Sequence, residues 1–169
     1  INDQETVLWT RQQTVSNALT EAGIVWNPED IVRPGLNQPL PSDGKISIQL
    51  ATPLVISADG NVMERRTQAT TIGQVLDENH ISLKSQDQVF LEGRLTRSDA
   101  SLRQYTAGTG EPALVAQQSG PLHLTVTRAL PITVSDNGTT TTLFTTENTL
   151  GTALAHAGIQ IYAGDLVSP

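Results

Sequence analysis

Apolar residues recur at helical spacing in three places along the chain. Val15, Ala18, Leu19 and Ala22 stand at i, i+3, i+4 and i+7; Ile72, Val75 and Leu76 repeat the start of that pattern, and Leu150, Ala153, Leu154 and Ala157 repeat all of it. Each set predicts an amphipathic helix of about three turns with one apolar face. Thr14, Thr71 and Thr149 precede the three sets as N-caps, and Gln74, three residues after Thr71, completes a capping box. Gly23 and Gly158 end the first and third helices in the left-handed conformation. His80 stands in that slot in the second, which predicts a loss of stability there.

On either side of the helices the period changes to that of strands. Residues 54–57 form a short β-prone run that meets Asp59-Gly60, and a second run at 62–67 follows. Asp-Gly between two such runs predicts a tight hairpin, because the turn needs positive φ. In the third copy Asn137-Gly138 fills the same slot before residues 139–145, a run dense in β-branched side chains. Beyond each helix, Ile24-x-Trp26, Ile81-x-Leu83 and Ile159-x-Ile161 alternate as a half-buried segment would. Asp30, Asp87 and Asp165 come next, each 16 residues after its capping Thr. A last strand, at 45–50 or 122–128, runs almost directly into the next copy.

The chain superposes on itself at offsets of 57 and then 78 positions, aligning Thr10, Thr67 and Thr145, and Ile24, Ile81 and Ile159. The two offsets differ by 21 residues, which places an insertion of that size within 92–119. The expected organisation is a first repeat at 1–51 lacking its opening strand, a second at 52–129 carrying the insertion, and a third at 130–169 lacking its closing strand. Joints of one or two residues, at Ala51-Thr52 and Ala129-Leu130, predict a stiff rod rather than beads on a flexible string. The first residues, Ile1-Asn2-Asp3, carry neither an initiating Met nor a signal-like segment. The expectation is a fragment of a longer array; the alternative is that incomplete ends take strands from neighbouring molecules.

A hairpin, one helix and further short strands give an α+β fold of tandem β-grasp repeats in an elongated array. The helix motif, the downstream Asp-x-Val and the upstream hairpin resemble a known bacterial repeat: the ubiquitin-like domains of unknown function in resuscitation-promoting factors and related cell-wall proteins. His80 and Leu91 in the second copy depart from the usual Gly and Pro. The resemblance implies a secreted, extracellular or cell-wall-associated spacer or stalk, often placed ahead of a separate peptidoglycan-acting domain. Its implied partners are peptidoglycan, another cell-wall polymer or a surface protein. No catalytic residue belongs to such repeats, so none is carried over.

Composition narrows the choices further. A net charge of −7 argues against nucleic-acid or anionic-membrane binding, since both need clustered Lys and Arg. No apolar run reaches the roughly 20 residues of a membrane span. With no cysteine there are no disulfides, thiolate metal sites or thiol nucleophiles. At 37% hydrophobic and 16% charged the chain has the composition of a folded protein.

Candidate chemistry is sparse, and the expectation is no enzyme, no metal and no cofactor. The repeated aspartates invite an acid–base reading, but no second carboxylate or His repeats beside them. A turn residue accepting backbone N–H groups is the expected role. His80, His123 and His156 occupy three different repeat positions, without the spacing of a metal site. Trp26 shares its slot with Leu83 and Ile161 and is expected in the core. Trp9 aligns with Arg66 and Phe144 and is a candidate contact, with packing against a neighbouring repeat the preferred role. Arg94, Arg97 and Arg103, with Tyr105 close by, form a local basic spot in the insertion. A mobile surface loop is the preferred reading of that segment; an anion-binding contact for acidic glycan or a partner protein is the other.

Overall fold

The computed structural model describes residue 1 and residues 5–102, 120–136, 138–162 and 164. Three helices recur, α1 (Val15–Glu21), α2 (Ile72–Glu78) and α3 (Leu150–His156). Each is two turns long, one fewer than the apolar period predicts. The fourth apolar position is already the C-cap in the first and third, Ala22 and Ala157. All three expected N-caps are in place, each Thr hydroxyl accepting the N–H three residues on, and Gln74 completes the capping box with Thr71. Gly23, His80 and Gly158 all leave their helices at positive φ, 69°, 57° and 75°. His80 therefore adopts the glycine geometry rather than an ending of its own.

The second repeat is the most complete. Its strands are β3 (Thr52–Ala58), β4 (Asn61–Thr67), β5 (Gln88–Leu91), β6 (Arg94–Thr96) and β7 (Leu122–Thr127). They form one sheet in the order β4-β3-β7-β5-β6. The β3–β4 hairpin turns on Asp59 and Gly60, both at positive φ, as the Asp-Gly pair predicts. The first and last strands, β3 and β7, lie side by side in parallel, as expected of a β-grasp unit. Leu54, Ile56, Val89, Leu91, Leu124 and Val126 face α2, whose Ile72, Val75 and Leu76 complete the core.

The other repeats contribute parts of this layout. In the first, β1 (Ile31–Arg33) pairs with β2 (Ser47–Gln49) in the register that β5 and β7 repeat, Val32 opposite Ile48 and Val89 opposite Val126. Val15, Leu19, Ile24 and Ile48 form its core. Residues 5–12 form no strand, having no hairpin partner among the described residues. In the third, β8 (Leu130–Asp136) and β9 (Thr139–Thr145) form the hairpin, and Ala153 and Leu154 of α3 are buried.

The inserted segment departs from a plain surface loop. Glu92 and Gly93 make a two-residue turn at positive φ, so that β6 adds an edge strand beside β5. Glu92 is held there by β7: its N–H donates to the His123 carbonyl and its carboxylate accepts the His123 N–H. The chain then crosses the start of α2, with Ile72 N–H donating to Ala100 O, Gly73 N–H to Ser98 O and Leu102 N–H to Thr70 O. Leu102 is buried in the core. The first repeat makes the same three contacts through Gln38, Leu36 and Leu40. These matched pairs are 62 positions apart, against 57 upstream and 78 downstream. Five of the 21 extra residues thus precede the crossing and 16 follow it.

Candidate functional site

The repeated side chains converge on the joints between repeats. Asp30 accepts the N–H of Asn27 with one carboxylate oxygen and the N–H of Ala51 with the other, both at 2.7 Å. Asp87 does the same with Lys84 and Ala129, both at 2.9 Å. The first bond of each pair closes the turn that the sequence predicts. The second spans 21 residues in one repeat and 42 in the other, and ends on the Ala that leads into the next repeat. Both carboxylates are wholly buried, and Ala51 and Ala129 are buried beside them. The counterpart in the third copy, Asp165, lies outside the described residues.

An arginine stands at each joint, from a different repeat position. At the first, Arg66 of β4 reaches back across the joint to the Ala51 carbonyl at 3.1 Å, with Asp30 3.8 Å and Glu29 4.0 Å away. Gln68 adds bonds to the carbonyls of Glu29 and Gln49. At the second, Arg128 bonds Asp87 at 2.8 Å, both carboxylate oxygens of Asp59 at 2.7 Å, and the Ser82 carbonyl at 2.6 Å. Arg128 thereby ties the β3–β4 turn to the loop holding Asp87. The Asp59 carboxyl is held below its usual range chiefly by its hydrogen bonds to Arg128. Burial pushes Asp87 upward, but the N–H groups of Lys84 and Ala129 together with Arg128 outweigh it, so its net shift is also downward. The same bonds raise the Arg128 pKa, so that the guanidinium stays charged.

The repeated Thr has a role of the same kind. Thr10, Thr67 and Thr145 accept the N–H groups of Gln12, Ala69 and Glu147, two residues on in each case, and so form the bend from the hairpin into the helix. Thr10 and Thr67 also donate to Glu21 and Glu78 near the ends of α1 and α2. In the third copy His156 follows that slot's register and lies 3.0 Å from Glu147.

The two joints differ in what fills them. Phe144 stands in the third repeat where Arg66 stands in the second, and it is 53% exposed. An open groove of about 430 Å³ runs there between Gln86 and Gln88 on one side and Phe144, Glu147 and His156 on the other. A second open cleft, of about 740 Å³, belongs to the first repeat. Trp26 lines it. The ring packs against the first core but is only half-buried, so the expected core role holds in part.

Trp9 is 94% exposed and does not pack against a neighbouring repeat as preferred above. Arg94 is exposed on β6. Arg97 is exposed and paired with Asp99 at 3.3 Å, so the basic spot carries its own counter-charge. Arg103 and Tyr105 lie outside the described residues. Among the described residues no three of His, Cys, Asp and Glu stand close enough to hold a metal ion. No described helix is long and apolar enough to cross a membrane.

Sequence reasoning missed Arg66, Gln68 and Arg128, because none of them repeats: their slots hold different residues in other copies. Self-comparison finds what recurs, and these side chains are particular to one joint.

The model of the G5-linked-Ubiquitin-like domain matches three times, at residues 1–37, 54–91 and 132–169. The chain is 23% identical over all 169 residues to YabE of Bacillus subtilis (strain 168), described as a proposed cell wall shaping protein. It spans 36% of that relative's length. No solved structure matches it. With the family model covering more than half of its residues, the chain belongs to the G5-linked-Ubiquitin-like domain family and carries three copies of that domain.

Proposed function

We propose that the chain is a non-catalytic, extracytoplasmic spacer that associates with the cell wall, as part of a larger protein acting on or shaping that wall. The observation that carries the reading is the treatment of the joints. Each of the two described joints passes from one repeat to the next through a buried Ala whose N–H is held by a buried Asp of the preceding repeat. A spacer must transmit a fixed separation, and a strand-to-strand joint fastened by hydrogen bonds restricts rotation where a flexible linker would not. The same joints support repeat boundaries at 1–51, 52–129 and 130–169. The likeness to YabE supports the cell-wall setting.

Sedimentation with insoluble peptidoglycan tests the wall-associating part. Co-sedimentation that persists at moderate salt is the expected result; a chain left wholly in the supernatant would refute it. The second reading, a glycan- or protein-binding module, is favoured by the half-buried Trp26 beside its cleft and by the groove at the second joint.

A further inference from the structure

We propose that the first-repeat cleft is a subsite for a neutral glycan chain, with Trp26 as its stacking platform. The inference rests on the wall-associating reading and names the kind of ligand that reading would need. Three features of the cleft point to a saccharide.

The first is its lining. Trp26, Pro28 and Leu36 give an apolar surface, and Asn27, Asn37 and Gln38 add carboxamides. Sugars present an apolar C–H face to an aromatic ring and a rim of hydroxyl or acetamide groups to donors and acceptors. A carboxamide offers both, two N–H donors and one carbonyl acceptor. A few polar groups around an apolar floor, in a volume of several hundred Å³, is the general form of a small-ligand site.

The second is that the polar groups are free. Among the described residues the side-chain amides of Asn27, Asn37 and Gln38 and the Trp26 indole N–H make no hydrogen bond, and Asn37 and Gln38 are exposed. Nothing within the fold requires these side chains to be amides. Asp30 also borders the cleft, but its two oxygens are occupied by the backbone of Asn27 and Ala51. The groups left to a ligand are therefore uncharged. That favours a neutral partner over an anionic polymer, which the net charge of −7 would also repel.

The third is a contrast between repeats. In the second repeat β6 covers the outer edge of β5, and Leu83, Lys84 and Asp99 stand where the first repeat has Trp26, Asn27 and Asn37. In the first, β1 pairs with β2 alone among the described residues, which leave the matching edge open. An extended peptide added to that edge is the competing occupant. The edge is only Ile31–Arg33 and is followed by Pro34, which has no N–H to offer a ladder. Three residues give a peptide little to bind.

Trp26 fluorescence reads the binding directly once Trp9→Phe removes the other indole. Neutral β-1,4-linked tetrasaccharides, one N-acetylated and one unsubstituted, would be titrated into that variant. Saturable change in Trp26 emission with either sugar is expected, and the Asn37→Ala, Gln38→Ala double variant should weaken it by about tenfold or more. Both of those side chains are exposed and unbonded, so the double variant retains its fold, which an unchanged unfolding midpoint would verify. No saturable response to millimolar sugar, or equal affinity in the double variant, would overturn the proposal. Peptidoglycan sedimentation run in parallel separates the two readings: retention without oligosaccharide binding rejects the cleft alone, and failure of both rejects wall association with it.

Discussion

Asp87 shows how much one side chain can hold at a joint. Its two oxygens satisfy a turn N–H and a joint N–H while its charge faces Arg128, so truncation leaves the N–H of the buried Ala129, the Lys84 N–H and part of a guanidinium unpaired. Asp87→Ala is expected to cost about 3 kcal/mol of second-repeat stability, readable from the urea midpoint at constant slope. The pH dependence has a definite sign. Asp59 and Asp87 both titrate below their ordinary values in the folded chain, so the unfolded chain binds protons first as pH falls. Their stabilisation is fully present above about pH 4 and is lost as pH drops through the lowered folded values. A urea midpoint that falls between pH 7 and pH 3, and falls less in Asp87→Ala, is the expected result. His80 makes the opposite case. It is exposed, bears φ of 57° and occupies the slot that is Gly23 and Gly158 elsewhere. His80→Gly should raise stability by about 1 kcal/mol, seen as a higher thermal midpoint.

At the scale of elements, the inserted segment changes what one repeat contains. Its first part, β6, closes the sheet edge, and the crossing to Leu102 that follows, which the first repeat shares at Leu36–Leu40, closes the core of the second repeat. Leu102→Ala should therefore behave as a core truncation, costing about 2–5 kcal/mol, whereas a surface loop would lose within ±0.5 kcal/mol. Thermal or urea unfolding of the single variant distinguishes the two. The helices, their Thr caps and the Asp-Gly hairpin were legible beforehand, because each has a local signature: a 3.6 period, a capping residue or a positive-φ turn. β6 was not, since Glu-Gly is a weaker hairpin signal than Asp-Gly and Arg94-Leu95-Thr96 is too short to show a period. The crossing at Ser98–Leu102 was hidden for another reason. Its match to Leu36–Leu40 sits at an offset of 62, between the two offsets that dominate the chain. The aspartates were identified as turn residues from local logic alone; their bonds to Ala51 and Ala129 are long-range and leave no mark on neighbouring positions. Trp26 was misread in part because its slot-mates Leu83 and Ile161 are aliphatic, and slot identity carries no information about a cleft that only one copy has.

At the scale of the whole chain, the two joints share a fastening and differ in their second tie. The first has Arg66 and Gln68 bridging from the next repeat, whereas at the second Arg128 binds within its own repeat and Phe144 faces an open groove. The second joint is therefore expected to bend more than the first. Spin-label distances across each joint would show it as a broader distribution at 129–130 than at 51–52, and Arg66→Ala should broaden the first to resemble the second. Small-angle scattering of the chain in solution bears most directly on whether these fastenings make a spacer. A compact globule of this length would have a radius of gyration of about 15 Å. A tandem held extended by the Asp30 and Asp87 joints should exceed about 20 Å, independent of concentration, and shift toward a broader distance distribution when both aspartates are replaced by Ala. A value near 15 Å would mean that the repeats fold back on one another, and the spacer reading would fail.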